Sequence, residues 1–359
     1  MNGRTKNKER LCELLLKHID TYPNLQVVDV FKYLFHSTFG CEHLVTSEEK
    51  ALEKINKEYK GVKKTARPFV ERLDGGYSRV HFSCLDEGLK EETLARLFCL
   101  SSKKELNGRE MLEEKLSTVS RLVLEGALPF DTETFRRELC DWRDRGYPAV
   151  HHSDGFKAEY KPAYRVVANK YADFAELFLK IDRLGDKRLV VAIEGGSASG
   201  KTTLASILNE VYGASVIHMD DFFLRPEQRT RERLSEVGGN IDRERFIGEV
   251  LTPLKKGEVV RYRPFDCGKG TLGDIVTVTP KRITVVEGVY SMHPEFGRYY
   301  GLSVFLDIDK ERQKDRILKR NSEKLAKRFF DEWIPLEDSY YTACEVKKLS
   351  DIVISVGEF

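Results

Sequence analysis

Apolar positions along the chain follow two different rhythms. Up to about Lys187 they recur mainly at intervals of three and four residues, which stacks them on one face of a helix. Leu11, Leu14, Leu15 and Ile19 set this pattern, and it returns in Val27 to Phe35, Leu94 to Leu100, Met111 to Val123 and Phe135 to Trp142. GGYSRVHFS, Gly75 to Ser83, interrupts it and predicts a strand or one arm of a hairpin. Val166, Val167, Phe174, Leu177, Phe178 and Ile181 resume helical spacing and predict a long helix from about Ala163 to Ile181. Beyond the polar stretch Asp182 to Lys187, short and nearly continuous apolar runs alternate with helical segments. The runs are Leu189 to Ile193, Ala214 to Met219, Ile283 to Val286, Ser303 to Ile308 and Ile352 to Val356, as in strands buried on both faces of a parallel sheet. The pattern predicts a mostly helical α+β domain over residues 1–184, then an α/β domain with a doubly wound parallel sheet over residues 185–359.

The first of these runs ends in GGSASGKTT, and the TTLASILNEV segment again has helical spacing. Gly195, Gly200, Lys201 and Thr202 satisfy GxxxxGK[ST] in the strand, loop and helix order that phosphate binding requires. Glycine permits close backbone approach, so the segment Gly195, Gly196, Ser197, Ala198, Ser199, Gly200, Lys201, Thr202 and Thr203 can wrap phosphate oxygens at a helix N-terminus. Lys201 is placed for the β- and γ-phosphates of a nucleoside triphosphate, and the Thr202 hydroxyl for magnesium.

Composition narrows the setting without choosing a ligand. The 359 residues suit two domains, and 41% apolar with 33% charged content is that of a soluble globular protein. A net charge of +2 gives no global bias toward nucleic acid or membrane. No stretch has the length and apolarity of a membrane span, and the charged start followed by an amphipathic pattern is not a signal peptide. Seven scattered cysteines with no CxxC pair form no zinc or redox framework, so the expected compartment is the cytoplasm.

Two further runs end in acids. Ala214 to Met219 leads into Asp220 and Asp221, and Ile283 to Val286 into Glu287, Gly288, Val289 and Tyr290. Carboxylates at strand tips beside a phosphate loop can accept the proton of an attacking hydroxyl and hold magnesium, or simply cap the turns that follow. Together with GGSASGKTT, the segments MDDFF, NIDRERFIGEVLTPLKKGEVV, YRPFDCGKGTL, TVVEGVY and DKERQKDRILKR occur in the order found in the uridine kinase and phosphoribulokinase group of P-loop kinases. Residues 188–359 resemble that group, which also includes pantothenate kinases.

The resemblance implies ATP and Mg2+ as cofactors, with Asp220 activating the acceptor hydroxyl and, with Thr202 and Glu287, lying at the metal. It implies that Phe265, Asp266 and Tyr290 contact the acceptor, and that Arg312, Arg316 and Arg320, with Lys319, form a cationic lid whose leading member is Arg316. There are departures. The Asp-His-Pro stretch usual in uridine kinases is replaced by SEVGGNIDRE, and Trp333, Tyr340 and Tyr341 have no counterpart in nucleoside recognition.

In the first half, His36, His43, His81, His151 and His152 fall in three polar stretches. Beside Cys41, Glu42, Cys84 or Asp154 they could bind a metal, with Arg79 or Arg165 they could form a substrate or anion pocket, or they could be structural. The aromatic and cationic YKPAYR segment invites single-stranded nucleic acid, against which stand the interleaved acids Asp154 and Glu159. The sequence thus points to ATP-dependent transfer of a phosphoryl group to a small-molecule alcohol, with a nucleoside as the leading acceptor. Other alcohols (a sugar, a sugar phosphate, a pantothenate-like molecule), a nucleotide-dependent switch and a bifunctional protein are the alternatives. The first domain would pack against the second and help shape or regulate its acceptor site, and the chain could form a homo-oligomer.

Overall fold

The computed structural model describes residues 3–41, 47–60, 68–102 and 107–357. The chain divides into two compact units, Met1–Arg183 and Leu184–Phe359.

The first unit is mostly helical around a small antiparallel sheet of β1 (Val70–Arg72), β2 (Tyr77–His81) and β3 (Tyr164–Ala168), in that order. Central β2 is buried along its whole length. The amphipathic segments form the helices Gly3–Thr21, Val27–Phe39, Glu91–Leu100, Gly108–Leu124 and Thr132–Asp144. Phe31 stacks on Trp142 with ring centroids 4.6 Å apart, joining two of them. Val27–Phe39 starts where it does because the Asp29 carboxylate accepts from the Gln26 amide at 2.9 Å, satisfying an otherwise orphaned donor.

The long helix expected from Ala163 to Ile181 does not form. Tyr164–Ala168 is strand β3, paired residue for residue with β2 (Tyr77↔Ala168 to His81↔Tyr164), and helix resumes only in Asn169–Ala172 and Ala175–Arg183. Adjacent β-branched Val166 and Val167 fit a buried strand as well as a helix face, and Pro162 just upstream disfavours helical continuity.

The second unit contains a five-stranded, wholly parallel sheet. Its strands are β4 (Leu189–Gly195), β5 (Ser215–His218), β10 (Ile283–Glu287), β11 (Leu302–Ile308) and β12 (Ile352–Val356), ordered β12-β11-β4-β10-β5. Two small antiparallel pairs lie between β5 and β10 in the chain: β6 (Val260–Tyr262) with β9 (Val276–Val278), and β7 (Phe265–Asp266) with β8 (Thr271–Leu272). The helix Lys201–Tyr212 turns Leu204, Ala205, Ile207, Leu208 and Val211 inward. Successive strands are added on one side of β4 and then on the other, and in such sheets ligands bind beyond the carboxyl ends where the order reverses. Among the described residues no helix is long and apolar enough to cross a membrane.

Candidate active site

β4 runs directly into the GGSASGKTT loop. Gly195 has φ 142°, and a Cβ there would lie 2.5 Å from the Leu306 carbonyl oxygen, so only glycine fits. The loop passes through Ala198 at φ 62° to Gly200 at φ 103°, which caps the helix Lys201–Tyr212. The helix Lys310–Arg320 grips the loop's carbonyls: Gln313 Nε2 donates to Ser197 O at 3.0 Å, and Arg316 Nη1 to Ala198 O and Ser199 O at 3.1 and 3.4 Å. A trans peptide points each carbonyl opposite to the next amide, so these anchors turn the amides of Ala198 and Gly200 away from that helix. Lys201 Nζ folds back onto the Gly195 and Gly196 carbonyls at 2.8 and 3.2 Å.

Strand register assembles the acids. Glu287, the last residue of β10, is level with Ile193 of β4 and with His218, the last of β5. His218 Nδ1 therefore lies 2.6 Å from Glu287 Oε1, and Thr202 Oγ1 donates to the same oxygen at 3.0 Å. The Glu287 hydrogen bond raises the His218 pKa against the opposing effect of burial. Past β5 the tight turn Met219–Phe222 carries Asp220 and Asp221. Asp221 accepts from the Tyr262 hydroxyl at 2.8 Å. Asp220 is reached by solvent yet crowded by protein on its other sides. That crowding, with Glu287 and Asp221 nearby, raises its carboxyl pKa against the pull of Lys201 and His218.

Two carboxylates that sequence reasoning missed complete the surroundings. Glu337, on the helix Ile334–Ala343, accepts from the Ser197 amide at 2.9 Å and also from the Ser197 hydroxyl. Burial raises its pKa, opposed by Lys201. Glu194, one residue before the loop glycine, is fully buried and accepts from the Met292 amide at 3.0 Å and the Tyr340 hydroxyl at 2.9 Å. Burial pushes its pKa up to about 7. Tyr340 thereby gains a structural account: it is buried, bonded to Glu194, and its ring lies 4.8 Å from that of Tyr290. Trp333 packs edge-on against Phe329 at 4.5 Å.

The remaining candidates are dispersed. Of the three arginines expected to form a lid, Arg316 is the one that contacts the GGSASGKTT loop among the described residues. Arg312 pairs with Asp309 and donates to Val356 O at 3.3 Å, and Arg320 lies 5.8 Å from the Phe329 ring centroid. Phe265 is buried, with the Arg229 guanidinium 5.7 Å from its ring. Asp266 accepts from the amides of Gly268 and Lys269 at 2.9 and 3.1 Å, which serves its own turn and lowers its pKa. Tyr290 is buried at φ 76°.

In the first unit His81 contacts Glu71 at 3.1 Å, and His152 bridges Asp29 and the Tyr164 hydroxyl at 2.8 and 2.7 Å. Glu42 and His43 lie outside the described residues. Burial raises the thiol pKa of Cys84 and pushes that of Cys41 up to about 12, which disfavours the thiolate a metal would need. Among the described residues no three His, Cys, Asp or Glu side chains could hold a metal ion.

Comparison with known proteins agrees with the motifs. A uridine kinase of Chlamydia pneumoniae is 29% identical over 141 residues, 37% of this chain. The chain is similar to uridine kinases over about half its length. A Staphylococcus aureus (strain JH9) uridine kinase is 28% identical over 185 residues, 47% of this chain and 87% of that protein. The match spans only 62% of the Chlamydia pneumoniae protein's length. A solved structure of a possible uridine kinase from Bacillus stearothermophilus is 25% identical, covering 50% of this chain and 99% of that one with a TM-score of 0.38. No family model matches. With its parallel sheet and flanking helices, the second unit has an α/β fold.

Proposed function

We propose that Leu184–Phe359 transfers the γ-phosphoryl group of ATP to a hydroxyl of a small molecule, most readily a nucleoside such as uridine. The observation that carries this reading is the meeting of Lys201, Thr202, Glu287 and Asp220 at the carboxyl ends of three adjacent strands.

The residues fit a bound nucleotide and magnesium. An anionic side chain, Glu337, already sits on a loop amide, and the Thr202 and Glu287 oxygens are hard donors of the type magnesium selects. When bound, magnesium would neutralise charge on the phosphates. The loop amides and Lys201 would hold the β- and γ-phosphates, and Arg316, already against the loop, would offset charge spreading over the transferring group. Thr202 and Glu287 would hold the metal. Asp220, its proton affinity raised by the protein crowding it and by Glu287 and Asp221, would accept the acceptor's hydroxyl proton as the new O–P bond forms.

A second reading, phosphorylation of a different small alcohol, is favoured by Asp266 being committed to its own turn and by the SEVGGNIDRE departure. Incubating the full chain with Mg2+ and ATP against nucleosides, sugars and sugar phosphates, and following products by mass, separates the two. Phosphorylated uridine supports the first, another phosphorylated alcohol the second, and ATP hydrolysis with no phosphorylated acceptor contradicts both.

A further inference from the structure

We infer that the first unit carries a binding site of its own for a small phosphate monoester, built around Lys32, Lys54 and Arg165. The inference rests on the first unit alone and not on the kinase reading of the second.

The site is a cavity of ≈ 580 Å³, within the range of small-molecule pockets. Cations reach it from four separate elements: Lys32 on the helix Val27–Phe39, Lys50 and Lys54 on Glu48–Tyr59, Lys157 on Asp154–Tyr160, and Arg165 on β3. Among the described residues its wall holds one carboxylate, Glu58, which takes one arm of Arg165 at 2.9 Å, while Lys157 is paired at 2.9 Å with the exposed Asp154 beyond the wall.

Arg165 supplies the sharper observation. It is more than nine-tenths buried, at 8% exposure, and its guanidinium lies 4.9 and 5.5 Å from the ring centroids of Phe82 and Phe98. Nη1 bonds Glu58 and the Tyr164 carbonyl, but Nη2 has no hydrogen-bond partner among the described residues. A buried donor normally finds an acceptor, and a guanidinium fork suits phosphate or carboxylate oxygens. Lys32 adds to the unbalanced charge. Its ammonium donates to Val150 O at 2.9 Å, and no carboxylate among the described residues lies within ion-pair distance of it. Burial and the nearby Arg79, Lys157 and Lys54 bring its pKa down to about 8, against the pull of Asp29.

Excess positive charge in a concave, partly desolvated site focuses field on an anion. Several converging cations match a doubly charged phosphate better than a single carboxylate, and Phe98 and Tyr164 leave apolar wall for an organic portion. His152, bonded on both ring nitrogens, fixes the Tyr164 hydroxyl at the edge of the cavity.

Calorimetric titration of the full chain carrying Lys201→Ala, which silences the phosphate loop, tests the site with ribose 5-phosphate, inorganic phosphate and ribose. Saturable binding of ribose 5-phosphate is expected, with no binding of ribose. Lys32→Met and Lys54→Met should each weaken it several-fold, and Arg165→Gln tenfold or more. Tighter binding of inorganic phosphate than of ribose 5-phosphate would identify free phosphate as the source of the same chemistry. No binding of either phosphate, equal binding of ribose, or binding unchanged in the Lys32 and Lys54 variants would overturn the inference. The two lysine variants keep the test decisive should Arg165→Gln fail to fold.

Discussion

Glu337 accepts a hydrogen bond from the Ser197 amide although 140 residues separate them in the chain. The bond places a carboxylate on the loop expected to hold a triphosphate, near the charge of Lys201. Like charge there opposes nucleotide binding. Glu337→Gln removes the charge and keeps an acceptor for Ser197, so at pH 8 ATP should bind about fivefold more tightly, equivalent to roughly 1 kcal/mol. Equilibrium titration of both proteins with ATP checks this, and unchanged or weaker binding would contradict it.

Thr202 and Glu287 share an oxygen contact of 3.0 Å at the end of β10. Thr202→Val removes the hydroxyl at nearly constant volume while leaving the His218 to Glu287 contact in place. The Mg2+ concentration giving half-maximal phosphotransfer should rise on the order of tenfold. A magnesium dependence that does not move would remove Thr202 from the metal site.

Glu194 links the site to pH-dependent stability. Its folded pKa of about 7 stands above the ordinary 4.5, so between these values the folded protein holds a proton the unfolded chain has released. Stability should therefore fall as pH rises through that window, by up to about 3 kcal/mol from this one group. Glu194→Gln should flatten the decline and melt higher than wild type at pH 8. Parallel melting curves for the two proteins from pH 5 to 8 would refute the assignment.

Gly195 tests the loop's shape without changing charge. Gly195→Ala forces a Cβ against the Leu306 carbonyl at φ 142°, so a loss of about 1–3 kcal/mol in unfolding free energy is expected together with weakened ATP binding. Denaturant titration and ATP binding measure both, and a variant unchanged in both would show that the loop tolerates a side chain.

Much of the second unit was legible because its signals are local. Strands buried on both faces read as continuous apolar runs, and GGSASGKTT is a contiguous motif that the structure flanks with a strand and a helix. Asp220 and Glu287 could be placed because each follows such a run. Glu194, Gln313 and Glu337 could not, since their roles depend on which distant backbone or side chain they meet. β3 was misread because the adjacent apolar pair Val166 and Val167 defines no period of its own, and the choice was made by pairing with β2, set by residues nearly ninety positions earlier. β1 is only three residues long and carries Glu71, whose charge hides it from any apolar pattern.

The most direct measurement is phosphoryl transfer from Mg2+-ATP to uridine by the wild-type chain and by Asp220→Asn, with ATP affinity measured alongside. The account predicts phosphorylated uridine from the wild type, and a rate about 10²- to 10⁴-fold lower in the variant with ATP affinity within a few-fold. An Asp220→Asn protein that transfers phosphate at the full wild-type rate would contradict it.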